Sequence, residues 1–387
     1  MLAPTPYFAD RGCHVRIYEE ARALRRAGHD VRIVTYGLGR DMPGVPTVRI
    51  PSVPWYAKLE AGPSLHKIYL DALLLYKAAM VVPEFRPDLI HAHLHEGAAI
   101  GYLLKRLAGV PLLFDYQGSL TGECIDHGFF SGSSRAAGMF RRVENAINRG
   151  ADAIITSSGS AADDLVSLRG IPAERVQPLL DAVDTGLFIP EAPEGLRASL
   201  GYSPDTVVVA YLGLLNRYQG TDLLLDSIGL LKSQGVQAQF LIMGYPDGHY
   251  RDETARRGLE HMVRFTGRVD YKDAPGLLAA ADIAVTPKLS PTEANGKLYN
   301  YMACALPVVS FDNPVNREVL GEAGIYARPA DARDLAEKIA LLVTTPQLRS
   351  DYAAKARRAA VERHSWGARI QQLTSVYASL CPECSEG

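Results

Sequence analysis

The residues best suited to chemistry lie between Thr286 and Val309. This segment carries a carboxylate, an amide, a glycine and an ammonium group: Glu293, Asn295, Gly296 and Lys297. An apolar run precedes it, a segment with helical spacing follows the glycine, and a second apolar run, 306–311, closes it. This order predicts strand, loop, helix and strand, a crossover whose loop lies where ligands bind. Free N–H groups at the helix start, with Lys297 beside them, would seat a diphosphate.

Two glycine-bearing turns predict further parts of a phosphate site. Gly213 ends a predicted strand, and Arg217 lies in the turn that opens the next helix. Gly213 would let a phosphate come close, and Arg217 could clamp it through charge-assisted hydrogen bonds. Gly244 ends the following strand, and we interpret it in the same way.

Three histidines alternate in the first half of the chain, at His91, His93 and His95. Alternate residues of an extended strand point the same way, so three imidazoles could line up. A metal site is disfavoured because no carboxylate or cysteine accompanies them at ligand spacing. We instead expect the strand to end near His91, with His93 or His95 reaching the floor of a crevice as a hydrogen-bonding residue.

Asp115 and Gly12 are the other candidates in the first half. Asp115 stands at the end of a predicted strand, where a carboxylate could orient or deprotonate a hydroxyl group. The alternative for Asp115 is a turn or helix-cap aspartate. Gly12 lies in a turn at a helix start, which predicts either close approach of the backbone to a ligand or simply a tight turn.

The cysteines predict a reducing compartment and no metal site. An odd number, five, and the lack of a signal peptide favour the cytoplasm. Cys381 and Cys384 have a metal-type spacing, but no second pair completes four ligands. We interpret this segment as a frayed tail.

Strands and helices alternate along the chain, which predicts an α/β protein. The predicted strands are 31–35, 47–50, 88–92, 111–116, 152–157, 176–179, 206–213, 238–243, 263–267, 283–287, 307–311 and 325–327. The predicted helices are 15–27, 64–81, 97–107, 136–149, 160–169, 221–234, 250–260, 272–281, 296–304, 315–321, 331–344 and 346–364. A first strand within 1–4 is so short that we expect the start to be trimmed or misassigned.

Proline and glycine interrupt the pattern between Asp184 and Gly195, which predicts a linker. We therefore expect three parts: an N-terminal domain over 1–184, a C-terminal domain over 185–364, and a crossover helix with a tail over 365–387. A length of 387 residues also favours two domains.

The formal net charge is −2, so the overall charge implies no polyanion partner such as nucleic acid. The first 180 residues carry 20 Lys and Arg against 18 Asp and Glu, and the remainder carries 21 against 25. This slight asymmetry would suit contact between the first half and a membrane surface. The helix over 64–81 is apolar on more than one face, and we interpret it as a buried packing helix. The alternative is an element that faces lipid or acceptor.

Taken in order, these segments resemble the GT-B glycosyltransferases, in particular the retaining family called glycosyltransferase family 4. The motifs that carry the resemblance are Gly12, DAVDTGLFIP (181–190), LGLLNRYQGTDLLL (212–225), VRFTGRV (263–269), ADIAVTPKLSPTEANGKLYNYMACALPVV (281–309) and the tail helix. The resemblance covers nearly the whole chain. It implies two Rossmann-like domains facing a cleft, with a nucleotide sugar on the second domain and the acceptor on the first. It implies no metal or cofactor, since helix N-termini and basic residues neutralise the leaving diphosphate.

The chain departs from the family pattern at several positions. Of the two glutamates usually spaced E-x7-E, Glu293 fits the first and Tyr301 replaces the second, so the ribose contact is lost or moved to Asn300. An arginine and a lysine of the family are replaced by Leu214 and Gln219. Asp115 takes the place of a histidine. Arg217 and Lys297 are then the cations expected to act on the diphosphate.

By this resemblance, Glu293 would hold the sugar, and Asp115 with His93 would position the acceptor or the sugar O6. The catalytic set is Glu293, Lys297, Arg217, Asp115 and His93. The donor-binding set is Gly12, Gly213, Asn216, Gly244, Val269, Asn295, Gly296, Leu298 and Tyr301. We predict a retaining transfer from UDP- or GDP-sugar to a saccharide or lipid-linked acceptor, in glycan, polysaccharide or glycolipid synthesis. The alternatives are a nucleotide-sugar epimerase of the same fold, and a catalytically degenerate binding module.

Overall fold

Apolar strands that alternate with helices form two parallel sheets. The structure is a computed structural model and describes residues 1–10, 12–59, 64–126, 129–290 and 294–382. The chain folds into two compact units, one of Met1–Leu180 with Gly367–Gly387 and the other of Asp181–Trp366. The inner strands of each sheet are buried, which explains why they are short apolar runs.

The first unit has a seven-stranded sheet with the order β3-β2-β1-β4-β5-β6-β7, all parallel. Its strands are β1 (Leu2–Ala3), β2 (Ile33–Thr35), β3 (Thr47–Arg49), β4 (Ile90–His93), β5 (Leu112–Tyr116), β6 (Ala153–Thr156) and β7 (Val176–Pro178). Its helices are α1 (Gly12–Arg26), α2 (His66–Phe85), α3 (Leu94–Ala108), α4 (Leu120–Asp126), α5 (Arg135–Gly150) and α6 (Gly159–Ser167).

The second unit has a six-stranded parallel sheet with the order β10-β9-β8-β11-β12-β13. A short α7 (Leu196–Ser199) precedes it. The strands are β8 (Val208–Leu212), β9 (Gln239–Met243), β10 (Val263–Gly267), β11 (Ile283–Thr286), β12 (Val308–Phe311) and β13 (Gly324–Ala327). The helices are α8 (Thr221–Ser233), α9 (Gly248–Arg256), α10 (Ala274–Ala279), α11 (Lys297–Ala303), α12 (Pro314–Leu320), α13 (Ala332–Thr344) and α14 (Pro346–Arg363).

Both sheets have the Rossmann strand order, so the predicted α/β class with two Rossmann-like domains is confirmed. The order reverses between β1 and β4 in the first sheet and between β8 and β11 in the second. The last helix, α15 (Trp366–Leu380), returns to the first unit, where Tyr377 packs edge-on against His91 and His29.

Several boundaries differ from prediction for reasons that involve distant residues. The helix predicted over 64–81 continues to Phe85 through Pro83, because Ala78 and Val81 stay buried against the sheet. The helix predicted from 97 begins at Leu94, directly after β4. Helix α4 was not predicted at all. No helix among the described residues has the length and apolar character needed to cross a membrane.

Candidate functional site

The carboxyl ends of β8 and β9 approach each other closely in the second unit. The Gly213 N–H donates to the carbonyl of Met243 over 2.9 Å. A Cβ atom at Gly244 would lie 1.9 Å from the Gly213 carbonyl oxygen, so only glycine fits there. Gly213 has a φ of +148°, and a Cβ on it would come within 2.7 Å of the Lys297 Nζ. The structure therefore brings Gly213, Gly244 and Lys297 together, at the strand ends where this fold binds ligands.

Lys297 is held in place by groups from β8 and the loop that follows it. Its Nζ donates to Gln219 Oε1 over 2.9 Å and lies 3.5 Å from the Tyr211 hydroxyl oxygen. The same ammonium group lies 4.6 Å from the centre of the Tyr211 ring, a cation–π distance. Gln219, where the family pattern has a lysine, thus orients Lys297 and places no like charge beside it.

A second lysine of this region, Lys288, was missed by the sequence analysis. It follows β11 by two residues and is 5% exposed. Its Nζ donates to the Ala294 carbonyl over 2.8 Å and lies 5.9 Å from the Tyr218 ring centre. The sequence did contain a signal, because a lysine directly after an apolar strand stands at the carboxyl end of a parallel sheet. Lys288 therefore adds a positive charge next to the start of α11.

Asn295 holds the loop before α11. Its side chain is 3% exposed and donates to Thr286 Oγ1 over 3.2 Å and to Asn316 Oδ1 over 3.0 Å. Asn316 in turn donates to the Phe311 carbonyl, so β11 and β12 are both linked to this loop. The amide of Asn295 therefore positions Gly296 and Lys297 from within the protein.

Two residues of the predicted donor set, Leu298 and Tyr301, lie in the core. Both are 0% exposed. The Tyr301 hydroxyl accepts a hydrogen bond from the Leu212 N–H over 2.7 Å, and it lies 3.5 Å from the Val285 carbonyl. Helix α11 turns the Tyr301 side chain towards β8 and β11, and this burial argues against a contact between that side chain and the donor. Its neighbour Asn300 is half-buried.

Replacing Tyr301 with phenylalanine should lower stability without impairing donor binding. The change leaves the buried Leu212 N–H without its acceptor, which costs about 1–3 kcal/mol in unfolding free energy. The control is Tyr326→Phe, which removes an exposed hydrogen bond to the Gly321 carbonyl and should cost under about 1 kcal/mol. Urea unfolding measures both. A large rise in the KM for the donor in Tyr301→Phe would contradict this placement.

The other predicted residues of the second unit that the structure describes lie wholly or partly at its surface. Arg217 and Asn216 are exposed, and the Asn216 Oδ1 accepts the Gln219 N–H over 2.8 Å, which shapes the turn after β8. Val269 is half-buried, two residues after β10. Glu293 lies outside the described residues.

In the first unit, Asp115 and His93 form a buried network with Arg16. Asp115 on β5 pairs with His93 on β4 in the sheet, and both are 0% exposed. The Arg16 guanidinium binds both carboxylate oxygens over 2.9 Å, from Nε and Nη2. His93 Nδ1 and Gln117 Nε2 lie 2.8 and 2.7 Å from Asp115 Oδ2. Burial alone would raise the Asp115 pKa, but Arg16 and His93 overcome it and hold that pKa well below its usual range.

Of the three histidines, only His91 and His93 line up as the alternation suggested. His91 and His93 stack with ring centres 4.5 Å apart, because β4 runs to His93 and not only to His91. His91 Nδ1 lies 2.9 Å from the Tyr377 hydroxyl oxygen. His95 belongs to α3 and faces the buried carboxylate of Glu144, 3.7 Å away.

Four buried side chains in this part of the first unit are close enough together to hold a metal ion. Ligand atoms of Glu20, His91, His93 and Asp115 lie within 4.8 Å of one another. No carboxylate accompanies the histidines at ligand spacing along the chain, but α1 and β5 bring Glu20 and Asp115 to them from elsewhere in the fold. Arg16, however, already neutralises Asp115 and places a positive charge beside any cation. We therefore interpret the cluster as a hydrogen-bonded ion-pair network.

This network predicts that the unfolding free energy falls on mild acidification. Burial is the main reason that the pKa values of His91 and His93 lie below the ordinary histidine value. Both rings therefore stay neutral in the folded protein, while in the unfolded chain they bind protons below about pH 6.5. Stability is present above that pH and declines below it, by about 1.4 kcal/mol per pH unit for each histidine.

Urea unfolding between pH 7.5 and 5.5 measures this decline. His91→Gln should reduce the slope of stability against pH, because one buried imidazole is removed. His249→Gln is the matched control, since His249 is exposed on α9. An equal slope in His91→Gln and the unaltered protein would contradict the explanation.

Gly12 is exposed at the first position of α1. A Cβ atom at Gly12 would meet nothing within 4 Å, so the first unit itself does not require glycine there. The expectation that Gly12 admits a ligand stays a prediction.

Two family models match most of the chain. The glycosyl transferase 4-like domain matches residues 11–180, and the glycosyl transferases group 1 domain matches residues 206–345. Among curated proteins, the chain is 28% identical to D-inositol 3-phosphate glycosyltransferase 2 of Catenulispora acidiphila, over 95% of this chain and 90% of that protein. It is 26% identical to D-inositol 3-phosphate glycosyltransferase of Saccharomonospora viridis, over 95% and 88%.

Solved structures share the fold. Sucrose-phosphate synthase from Thermosynechococcus elongatus superposes with a TM-score of 0.79 at 20% identity, covering 98% of this chain and 96% of that one. Anabaena HepE, solved in complex with UDP and glucose, superposes with a TM-score of 0.78 at 21% identity, covering 98% of each chain.

Proposed function

Since the chain belongs to the GT-B glycosyltransferases of family 4, we propose that it transfers a sugar from a UDP- or GDP-sugar to an acceptor hydroxyl with retention of configuration. The observation that carries the proposal is the position of the Lys297 ammonium beside Gly213, held by Gln219 and Tyr211. A fixed positive charge at the carboxyl end of β8 is suited to a diphosphate that gains charge as it leaves.

In this proposal, lysine side chains stabilise the leaving diphosphate more than the N-terminus of α11 does. Helix α11 has only seven residues, so its dipole is limited. Lys297 and Lys288 would neutralise the diphosphate, and the exposed Arg217 would close on it from the turn after β8. Binding of UDP by Anabaena HepE, a protein of the same fold, supports a nucleotide as the leaving group.

The transfer step needs no protein nucleophile in this proposal. The bond between the sugar C1 and the diphosphate oxygen breaks, and the acceptor oxygen bonds to C1 on the same face. The acceptor proton passes to the leaving phosphate oxygen. Lys297 stabilises the negative charge that develops there, and no metal ion is required.

Asp115 acts as a positioning residue in this scheme. Arg16, His93 and Gln117 already occupy its carboxylate, so it does not act as a base towards substrate. It fixes the orientation of the His93 ring and neutralises the Arg16 guanidinium at the ends of β4 and β5, next to which the acceptor would bind. Glu293 would contact the sugar hydroxyls, and Asn300 would take the ribose contact that Tyr301 does not make.

Ligand screening followed by product analysis tests the proposal. Thermal shift with UDP, GDP, ADP and their sugars should single out one nucleotide, because a ligand at 100 times its Kd adds about 2.7 kcal/mol to the folded state. Proton NMR of the product should then show the anomeric configuration of the donor, with activity unchanged in EDTA. An inverted product, turnover without acceptor, or no nucleotide binding would overturn the proposal, the last two in favour of an epimerase and a binding module respectively.

A further inference from the structure

Helix α2 has an apolar face that the described residues of the first unit leave exposed. Leu65, at its N-terminal end, is followed at spacings of three and four residues by Ile68, Ala72, Tyr76 and Met80, all exposed. The four large side chains are 81%, 73%, 67% and 55% exposed, in chain order. The opposite side of α2 is buried in the core, so the helix is apolar on two faces and only one is packed. At 1.5 Å per residue, the uncovered stripe is about 24 Å long.

The neighbouring helices extend this surface. Helix α2 packs against α3, and α3 packs against α5, so the three lie side by side on one face of the sheet. Leu103 and Leu107 are exposed on α3, and Met139 and Val143 are exposed on α5. Trp55, in the segment before α2, is 72% exposed. We call the outer side of α2, α3 and α5 the three-helix face. Exposed apolar side chains that gather on one side of a unit are typical of an interaction site.

The charge of the three-helix face is basic. The three helices contain eight lysines and arginines against four acidic residues. The acids are paired or buried: Asp71 accepts from Tyr36, Glu84 from Arg32 and Glu96 from Lys67 of α2, and Glu144 is fully buried. Of the basic residues, Lys67 is used in that pair and Lys105 pairs with Asp152. Exposed arginines, by contrast, lie among the apolar side chains: Arg106, Arg135, Arg142 and Arg149.

We propose that the three-helix face docks on the surface of an anionic lipid bilayer. The apolar stripe of α2 would enter the boundary between headgroups and acyl chains, while the arginines attract anionic headgroups. A second copy of the chain is the poorer occupant, because two basic faces repel each other. The same surface explains why α2 is apolar on more than one face. The proposal does not depend on sugar transfer.

Vesicle co-sedimentation of the full chain tests it without donor or acceptor, so its outcome is separate from that of the proposed activity. The protein should bind vesicles of phosphatidylglycerol and phosphatidylcholine more tightly than vesicles of phosphatidylcholine alone. Binding should weaken at 0.5 M salt, where the screening length falls to about 4 Å. Ile68→Glu with Tyr76→Glu should weaken binding to the anionic vesicles about a hundredfold. Leu341→Glu with Val361→Glu is the control, since both are exposed apolar residues of the second unit, at 43% and 44%.

A second pair of variants tests the charge. Arg142→Ser with Arg149→Ser should weaken binding to anionic vesicles about 25-fold, at about fivefold per arginine, and Arg333→Ser with Arg358→Ser should leave it unchanged. Circular dichroism should show all four variants folded, because every altered side chain is exposed. Unchanged binding in the α2 variant, or equal binding to neutral vesicles, would overturn the proposal. A concentration-dependent dimer that the α2 variant dissolves, without vesicle binding, would assign the face to a second copy instead.

Discussion

Replacing Lys297 with alanine is expected to reduce kcat/KM by about 10²–10³-fold, or about 2.7–4 kcal/mol of transition-state stabilisation. The negative charge on the diphosphate increases as the bond to the sugar breaks, so the ammonium group acts more strongly in the transition state than in the bound substrate. Most of the loss should therefore appear in kcat, and the affinity for free nucleotide should weaken by less. Steady-state kinetics with the nucleotide sugar identified by screening measures the separate effects on kcat and KM.

Two further variants make this test specific. Lys297→Arg keeps the positive charge, although a planar guanidinium cannot reproduce the contacts with Gln219 and Tyr211, so activity should recover only in part. Lys232→Ala removes an exposed lysine of α8 that contacts the Gly258 carbonyl, and activity should not change. Full activity of Lys297→Ala would remove Lys297 from the site and with it the main support for the proposed leaving-group stabilisation.

Strand positions were predictable because apolar runs report burial directly. The run predicted over 283–287, for example, is β11 at Ile283–Thr286, and its crossover to β12 gives the predicted strand, loop, helix and strand. Helix α4 was not predictable in this way. Its first turn is fixed by the Glu144 carboxylate of α5, which accepts from the Thr121 N–H and hydroxyl. A contact between residues this far apart in the chain leaves no local periodicity.

The sequence predicted the parts of the site whose backbone a motif fixes. It did not predict whether a given helical side chain faces the core or the site. Gly296 and Lys297, at the start of α11, lie beyond the carboxyl end of β11, as the strand and helix pattern indicated. Tyr301 was assigned by its spacing from Glu293, but that spacing does not fix which side of α11 packs against the sheet. In the structure Tyr301 is on the buried side. Lys288 was overlooked because a lone lysine after a strand has no motif of its own.

The partner of Asp115 could not be inferred from the sequence, because Arg16 is 99 residues away. Asp115→Leu is expected to lower the unfolding free energy by about 3–5 kcal/mol, since it leaves the buried guanidinium of Arg16 without its carboxylate. For a unit of this size the melting temperature should fall by on the order of 10 °C. The matched control is Asp312→Leu, which breaks an exposed ion pair with Arg317 and should cost at most about 1 kcal/mol.

The double variant Arg16→Met with Asp115→Leu separates the cost of an unpaired charge from the value of the pair itself. Replacing both partners of a buried ion pair by apolar side chains is often close to neutral, because their desolvation is no longer required. The double variant should therefore recover most of the stability lost in Asp115→Leu, and the coupling free energy should exceed about 2 kcal/mol. Its activity should nevertheless stay low, because the His93 ring loses the carboxylate that orients it. A double variant as active as the unaltered protein would show that the Arg16–Asp115 pair serves stability alone.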